Sequence, residues 1–477
     1  MRNRLYLVEG DPGTGKTTLA FQFLLEGARA GEKGLHISLS ESHAEILAMA
    51  ESHGWTVAEP IEICELSPGE ALLDAQQQQS LLYSSDLELG ETTRHILAEI
   101  ERAQPSRVVL DGVSELRLLA QDALRFRRQI LALKQYFARR DMTVVVLDDM
   151  TTDSGDRTLH SIAHGVIALH EMAPEYGAER RRMRVTKYRG TKYRGGYHDF
   201  TIATGGLRIF PRLIASEHAS AVDRTPSLSG EESIDTMLGG GLERGSSTLL
   251  IGPSGTGKSL LALRFVVSAL ERGEPVAMYV FDEELGLLMR RAIAVGLDLQ
   301  PHVASGLLHI RQMDPADVSP GEFAHDVRIQ VEQAGARLVV VDSLNGYQMS
   351  MPDEQYLVLH MHELLIYLNR KGVVTLLTLT QHGILGDMRA AVDLTYLSDS
   401  IVLLRYFEDQ GELRRAISTV KKRAGSHDRT IRELWIDADG VHVGAPLHGF
   451  QGVMRGTPDY IQQTDRQTRG GDSQSNA

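Results

Sequence analysis

Two short stretches carry residues arranged for phosphate chemistry. From Gly10 the chain reads GDPGTGKTTLAFQFL, and from Gly252 it reads GPSGTGKSLLALRFV. Both fit the spacing G-x-x-x-x-G-K followed by Ser or Thr. In that pattern the glycines let successive backbone N–H groups curl around an anion, at the positive end of the helix that follows. Gly10, Asp11, Pro12, Gly13, Thr14, Gly15, Lys16, Thr17 and Thr18 form one expected phosphate cradle. Gly252, Pro253, Ser254, Gly255, Thr256, Gly257, Lys258, Ser259 and Leu260 form the other. Lys16 and Lys258 are placed to neutralise β- and γ-phosphates, and Thr17 and Ser259 to offer a hydroxyl to Mg²⁺. The chemistry implied is binding of ATP and transfer of its γ-phosphoryl group to water.

Carboxylates recur at matched places. RVVLD ends at Asp111 and RLVVVD ends at Asp342. Each is an apolar run of the kind that forms a central parallel strand buried on both faces. Its terminal carboxylate emerges where α/β sheets bind ligands. Asp111 and Asp342 are expected to serve Mg²⁺, the alternative being an N-cap for the next helix. Two further apolar strands, 35–39 and 277–281, run into Ser40-Glu41 and Asp282-Glu283-Glu284. Glu41 and Glu283 stand at the same offset from the first glycine of their loops, which makes them candidates for the base that polarises the attacking water. A solvated acidic turn is the competing reading.

These elements must be positioned twice, because the chain contains itself twice. Eight of the fifteen residues in the two loop segments are identical without a gap, and the downstream features repeat in the same order. The expected fold class is α/β: two tandem RecA-like P-loop domains with mostly parallel central sheets. Residues 1–212 form the first domain and 229–448 the second, joined by a linker at 213–228. A tail at 449–477, rich in Gly, Gln, Ser and Asp, is expected to be largely disordered. The strands 5–8 and 248–251 lead into the loops, and helices at 18–30 and 260–271 follow them. The sequence starts too close to the first loop to hold a counterpart of the Gly239-Gly240-Gly241-Leu242 lead-in of the second copy: either the first domain is trimmed or its true start lies upstream.

The 477 residues carry a formal net charge of −13, which is not the usual footprint of a protein that coats nucleic acid. No apolar run reaches the roughly 20 residues that span a bilayer, so no membrane contact is expected. The single cysteine, Cys64, cannot form an intrachain disulfide, and no export signal precedes the first loop. Together these point to a reducing, cytoplasmic setting. Local charge is another matter. RRRMRVTKYRGTKYR, from Arg180, has eight basic residues in fifteen, and Lys421-Lys422-Arg423 stands at the matching place in the second copy. Three readings stay open: a single-stranded nucleic-acid contact, a solvated strand edge, or Lys and Arg fingers that reach a neighbouring subunit's γ-phosphate.

Taken together, these residues resemble the KaiC family, the double-domain clock ATPases and autokinases of the RecA/RadA/DnaB group, over nearly the whole chain. KYRG…GGYHDFTI at 187–202 is similar to the family's first-domain finger segment, and KKRAGSHDRTIRE at 421–433 to its second. The resemblance implies that Lys187, Arg189, Lys421 and Arg423 act in trans on ATP within a homohexameric ring. It further implies a regulatory protein partner. Ala424 departs from the family's glycine after the finger arginine. Where the family has a Glu-Glu pair, this chain has Ser40-Glu41 and Asp282-Glu283, so Ser40 and Asp282 can hold the place of the catalytic member. By the same resemblance Thr395 occupies one of the family's two adjacent phosphoacceptor positions, and Tyr396 the other. The tail does not match the family's clock-partner segment. A DNA-stimulated motor and a nucleotide-gated scaffold with little turnover remain as alternatives to a regulatory ATPase and autokinase.

Overall fold

The computed structural model describes residues 1–66, 84–149, 157–174, 177–218, 225–349, 354–381, 395–448, 450–453 and 459–460. It divides into two units, Met1–Arg212 and Leu213–Ala477.

In the first unit nine strands form one sheet: β1 Leu5–Gly10, β2 Gly34–Ser38, β3 Ile61–Glu65, β4 Arg107–Asp111, β5 Thr143–Asp149, β6 Gly165–Met172, β7 Arg180–Tyr188, β8 Tyr197–Ala203 and β9 Gly206–Phe210. Their order is β3-β2-β4-β5-β1-β6-β7-β8-β9. The strands from β3 to β6 pair in parallel, and β7 to β9 extend the sheet antiparallel. The second unit repeats this with β10 Ser247–Gly252, β11 Val276–Val280, β12 Leu308–Gln312, β13 Leu338–Asp342, β14 Val374–Thr380, β15 Ser400–Asp409, β16 Glu412–Lys422, β17 Arg432–Asp437 and β18 Gly440–Pro446. Their order, β12-β11-β13-β14-β10-β15-β16-β17-β18, is position for position the same.

The parallel strands are apolar because helices cover both faces. Leu7, Val108 and Val144 pack on one face of the first sheet with helices Ser84–Ala103 and Ala123–Arg139. Val8, Val109 and Val145 pack on the other with the helix Lys16–Arg29, which buries Ala20, Phe21 and Leu24. Helix starts follow their caps. Ser42 and Glu45 make a reciprocal capping box for His43–Ser52, and Asp122 caps Ala123–Arg139 through the N–H groups of Leu124 and Arg125. The helices after the phosphate loops begin at Lys16 and Lys258, two residues earlier than the sequence reading places them. The lysine and the hydroxyl residue themselves form the first turn.

The stretch 213–228 is not all free chain. Leu213 and Ala215 are buried in the second unit's core, and the Ala215 N–H donates to Glu363 Oε2. Their apolar side chains have a surface to cover, so they fold with the second domain rather than linking to it. Within 449–477, Phe450–Gln451 pairs antiparallel with Asp459–Tyr460, and Phe450 meets Phe407 edge-on at 5.7 Å. Most of the remaining tail lies outside the described residues. Among the described residues, no helix is long and apolar enough to cross a membrane.

Candidate functional site

Each phosphate loop leaves the C-terminal end of a central strand, β1 or β10, and turns into a helix. The turn needs glycine. Gly15 and Gly257 take φ of 93° and 102°, and a Cβ there would meet Ile202 or Ile436 at 2.6 Å. Left-handed backbone and close packing exclude a side chain at the point where the helix N-terminus opens. Thr14 Oγ1 donates to Asp11 O at 2.8 Å, and Thr256 Oγ1 to Pro253 O at 2.9 Å, bracing both loops in the same way.

The two lysines fold over their loops identically. Lys16 Nζ donates to Gly10 O at 2.8 Å and Asp11 O at 3.0 Å. Lys258 Nζ donates to Gly252 O at 2.9 Å and Pro253 O at 2.8 Å. Burial pushes the Lys258 ammonium down to about 8, against the pull of Asp342 and Asp282. A desolvated cation of this kind favours an arriving anion.

Around the lysines the units diverge. In the first, Asp149 at the end of β5 lies beside Gly10 in the sheet and pairs with Lys16 at 2.8 Å. In the second, Thr380 holds that register position, and Lys258 has no carboxylate in contact among the described residues. Asp149 therefore competes with phosphate for Lys16. Asp149→Asn is expected to tighten nucleotide binding at the first site by roughly 3- to 10-fold, the scale of one partly exposed ion pair. Titration of Lys258→Ala protein, in which only the first site binds, measures it; an unchanged or weaker affinity contradicts the competition.

Thr17 Oγ1 donates to Asp111 Oδ2 at 3.0 Å, bringing the expected hydroxyl and carboxylate together. In the second unit Asp342 instead accepts from Thr378 Oγ1, which leaves Ser259 as the nearest loop hydroxyl in sequence only. One carboxylate, one hydroxyl and hard phosphate oxygens form a donor set that suits Mg²⁺, which keeps most of its waters. His36, fully buried, stands 3.6 Å from Asp111. It was missed in the sequence although it is the one ring in the buried strand GLHIS, and Met278 takes its place in the second unit.

The acidic turns align without a gap. Leu39 N–H donates to Asp111 O and Phe281 N–H to Asp342 O, so Ser40 matches Asp282 and Glu41 matches Glu283. Asp282 accepts from Ser343 Oγ, whereas Ser40 faces Gly112 at the corresponding place. Glu283 pairs with Arg291 at 2.7 Å. Its carboxyl is raised by burial and by Asp342, with Arg291 opposing. Glu41 makes no side-chain hydrogen bond or ion pair among the described residues, and burial followed by Asp111 raises its carboxyl. Glu284 caps the helix Leu285–Ile293 by accepting from Gly286 and Leu287 N–H, which commits it to structure.

The finger candidates sit at the other end of the sheet. Lys187 pairs with Val166 beside Leu7, three residues before Gly10 and about 10 Å down the strand. Its Nζ donates to His160 O and to Ala163 O at 2.8 Å, and Arg189 Nη2 donates to Ser161 O at 2.8 Å. Burial and the nearby Arg189 lower the Lys187 ammonium. Lys421 repeats the arrangement opposite Ile401, donating to Thr395 O at 3.0 Å and Ser398 O at 2.7 Å. Arg423 holds Asp399 Oδ1 at 3.2 Å and Tyr396 O at 2.9 Å. Thr395 thus adjoins the second finger, half-buried, while Ser398 is fully buried. Two arginines of the rest of the basic run meet the unit's own acids. Arg181 bridges Glu171 and Glu179, and Arg182 faces Asp199 at 3.3 Å. The Cys64 thiol is half-buried, and burial raises its pKa, which lowers its thiolate fraction.

Two doubly covered parallel sheets, each with a phosphate loop at its switch between strand and helix, define a tandem RecA-like P-loop ATPase. The family model described as "ATPase: KaiC" matches residues 1–214 and again residues 228–448, and the chain belongs to that family. It is similar to the circadian clock protein KaiC3 of Synechocystis sp., at 27% identity over 97% of this chain and 92% of that protein. It is also similar to the circadian clock oscillator proteins KaiC of Acaryochloris marina and Synechococcus elongatus. These are each 26% identical, over 97% and 96% of this chain and 89% and 88% of theirs.

Proposed function

We propose that the chain is a KaiC-like regulatory ATPase that works as a ring, with each unit binding Mg²⁺-ATP at an interface between subunits. The observation that carries this is the duplicated loop geometry, in which Lys16 and Lys258 fold back on the same two carbonyls of their loops. Backbone N–H groups and the lysine hold the β- and γ-phosphates; Thr17 with Asp111, and Ser259 with Asp342, hold Mg²⁺. When bound, Mg²⁺ offsets charge on the phosphate oxygens. Glu283, and Glu41 in the first unit, accepts a proton from water as its oxygen bonds to the γ-phosphorus. The bond to the bridging oxygen then breaks and ADP leaves with the electron pair. Asp282, tied to Ser343, orients that region, and Ser40 brings no carboxylate to the matching position of the first unit.

Glu283→Gln tests the assignment. In a Lys16→Ala background it is expected to lower turnover by about 10²- to 10³-fold with ATP affinity retained. The base is active only as the carboxylate, and its proton affinity is raised. The acid limb of the rate profile should therefore lie above the ordinary carboxyl range, and Arg291→Ala should move it higher still, because Arg291 opposes the rise. Retained turnover in Glu283→Gln overturns the role.

Thr395 is the proposed phosphoacceptor for autokinase activity, on the ground that it adjoins Lys421 and Arg423, the residues proposed to meet a neighbour's γ-phosphate. Incubation with γ-³²P-ATP is expected to label the chain, and Thr395→Ala to remove the label. Label that persists in Thr395→Ala, or none in the wild type, contradicts it.

A further inference from the structure

Asp111 and Asp342 end matching strands, yet different neighbours reach them. In the first unit His36 on β2 pairs with Val109, two residues before Asp111 and on the same sheet face. Its Nε2 stands 3.6 Å from Asp111 Oδ2. In the second unit Met278 holds the position of His36, and the polar group comes from the opposite side. Thr378 on β14 donates its Oγ1–H to Asp342 Oδ1. At the position of Thr378 the first unit has Leu147. The exchange is reciprocal: polar on β2 with apolar on β5, apolar on β11 with polar on β14. All four side chains are buried.

The surroundings are adjusted to match. Phe21, five residues after Lys16, lies against His36 with ring centroids 4.9 Å apart. Five residues after Lys258 comes Leu263, buried in one cluster with Met278. Ser38, the direct register partner of Asp111, is committed to Glu41 O at 2.7 Å and does not serve the aspartate. Neither ring nitrogen of His36 has a hydrogen-bond partner among the described residues. Burying an imidazole without one is destabilising, so its retention here calls for a purpose. A ring that carries its proton on Nε2 turns that N–H toward Asp111, a few tenths of an ångström beyond hydrogen-bond range. The same oxygen accepts from Thr17 Oγ1 at 3.0 Å, so the ring and the loop hydroxyl address one atom.

We propose that His36 in the first unit and Thr378 in the second are interchangeable positioning residues, each orienting the metal-binding aspartate of its unit from the opposite neighbouring strand. Neither touches nucleotide or metal. Each sets the direction of the carboxylate that does, as the outer partners of a metal site commonly do. This rests on the reading of Asp111 and Asp342 as Mg²⁺ carboxylates.

The test reads metal dependence of binding rather than turnover. In full-length Lys258→Ala chain, a fluorescent ATP analogue is bound at the first site while Mg²⁺ is titrated. His36→Met should raise the Mg²⁺ concentration at half-saturation by about 10-fold or more, the scale of losing an outer partner. Binding in EDTA and the melting temperature should hold. Adding Leu147→Thr to His36→Met supplies the second unit's arrangement and should restore the Mg²⁺ requirement to within about 3-fold of the parent. At the second site, in Lys16→Ala chain, Thr378→Val keeps the shape and removes only the donor. It should raise the requirement likewise, and Thr378→Ser should not. Unchanged Mg²⁺ dependence in both His36→Met and Thr378→Val overturns the proposal. So does a rise in His36→Met that Leu147→Thr leaves in place, since that is loss of packing and not of a donor. If His36→Met loses binding in EDTA as well, the Thr378→Val and Thr378→Ser pair decides the question without it. A parent chain whose ATP binding ignores Mg²⁺ contradicts the metal-site reading itself, which separates that failure from this one.

Discussion

Lys258→Ala is expected to lower phosphate release at the second site by roughly 10³-fold, the scale of removing one preorganised charge from a phosphoryl-transfer site. The effect should be large because Lys258 is 6% exposed and its ammonium is already depressed to about 8. Its stabilisation is therefore spent on an incoming anion rather than on water. Lys16→Ala should silence the first site as fully. Its wild-type starting point is weaker, because Asp149 holds Lys16 at 2.8 Å before any phosphate arrives. Steady-state phosphate release from the two single variants measures each contribution. A Lys258→Ala chain that keeps wild-type turnover in a Lys16→Ala background removes the lysine from the mechanism.

The second large effect is expected at the fingers. Lys421→Ala with Arg423→Ala should reduce second-site turnover by about 10³-fold or more, as loss of an arginine finger does in phosphoryl transfer. The geometry gives the direction of action. Both side chains are tied to backbone at 395–399, at the start of β15, whereas the chain's own loop leaves the far end of β10. This placement, away from the chain's own loop, supports the proposal that the fingers serve another subunit's phosphate. Chains carrying Lys258→Ala and chains carrying the finger substitutions should each be inactive at this site alone. Mixed one to one, they should recover about a quarter of wild-type activity, since random assortment in a ring pairs an intact loop with an intact finger at that frequency. Recovery near zero, with assembly intact, contradicts action in trans.

Much of this was legible from the chain alone, and for physical reasons. Phosphate loops, buried strands ending in Asp and the duplication are local patterns, set by backbone geometry and burial within a few residues. The gap-free match of Glu41 with Glu283 was also in the spacing. Three features were not legible. The Asp149–Lys16 contact depends on β5 lying beside β1, a fact of strand order that no local pattern carries. The pairing of Glu283 with Arg291 requires the helix Leu285–Ile293 to start where Glu284 caps it. The antiparallel extension of the first sheet turns the basic run into a strand in which Arg181 faces Glu171 and Glu179 and Arg182 faces Asp199, pairings that a run of like charge does not disclose.

Counting nucleotide bound per chain tests the account most directly. Purified wild type, Lys16→Ala, Lys258→Ala and the double variant would be saturated with Mg²⁺-ATP, freed of excess and extracted for bound adenine nucleotide. Two nucleotides per wild-type chain, one in each single variant and none in the double variant are predicted. One nucleotide in the wild type that survives either single substitution, or any retained in the double variant, would contradict two lysine-centred sites.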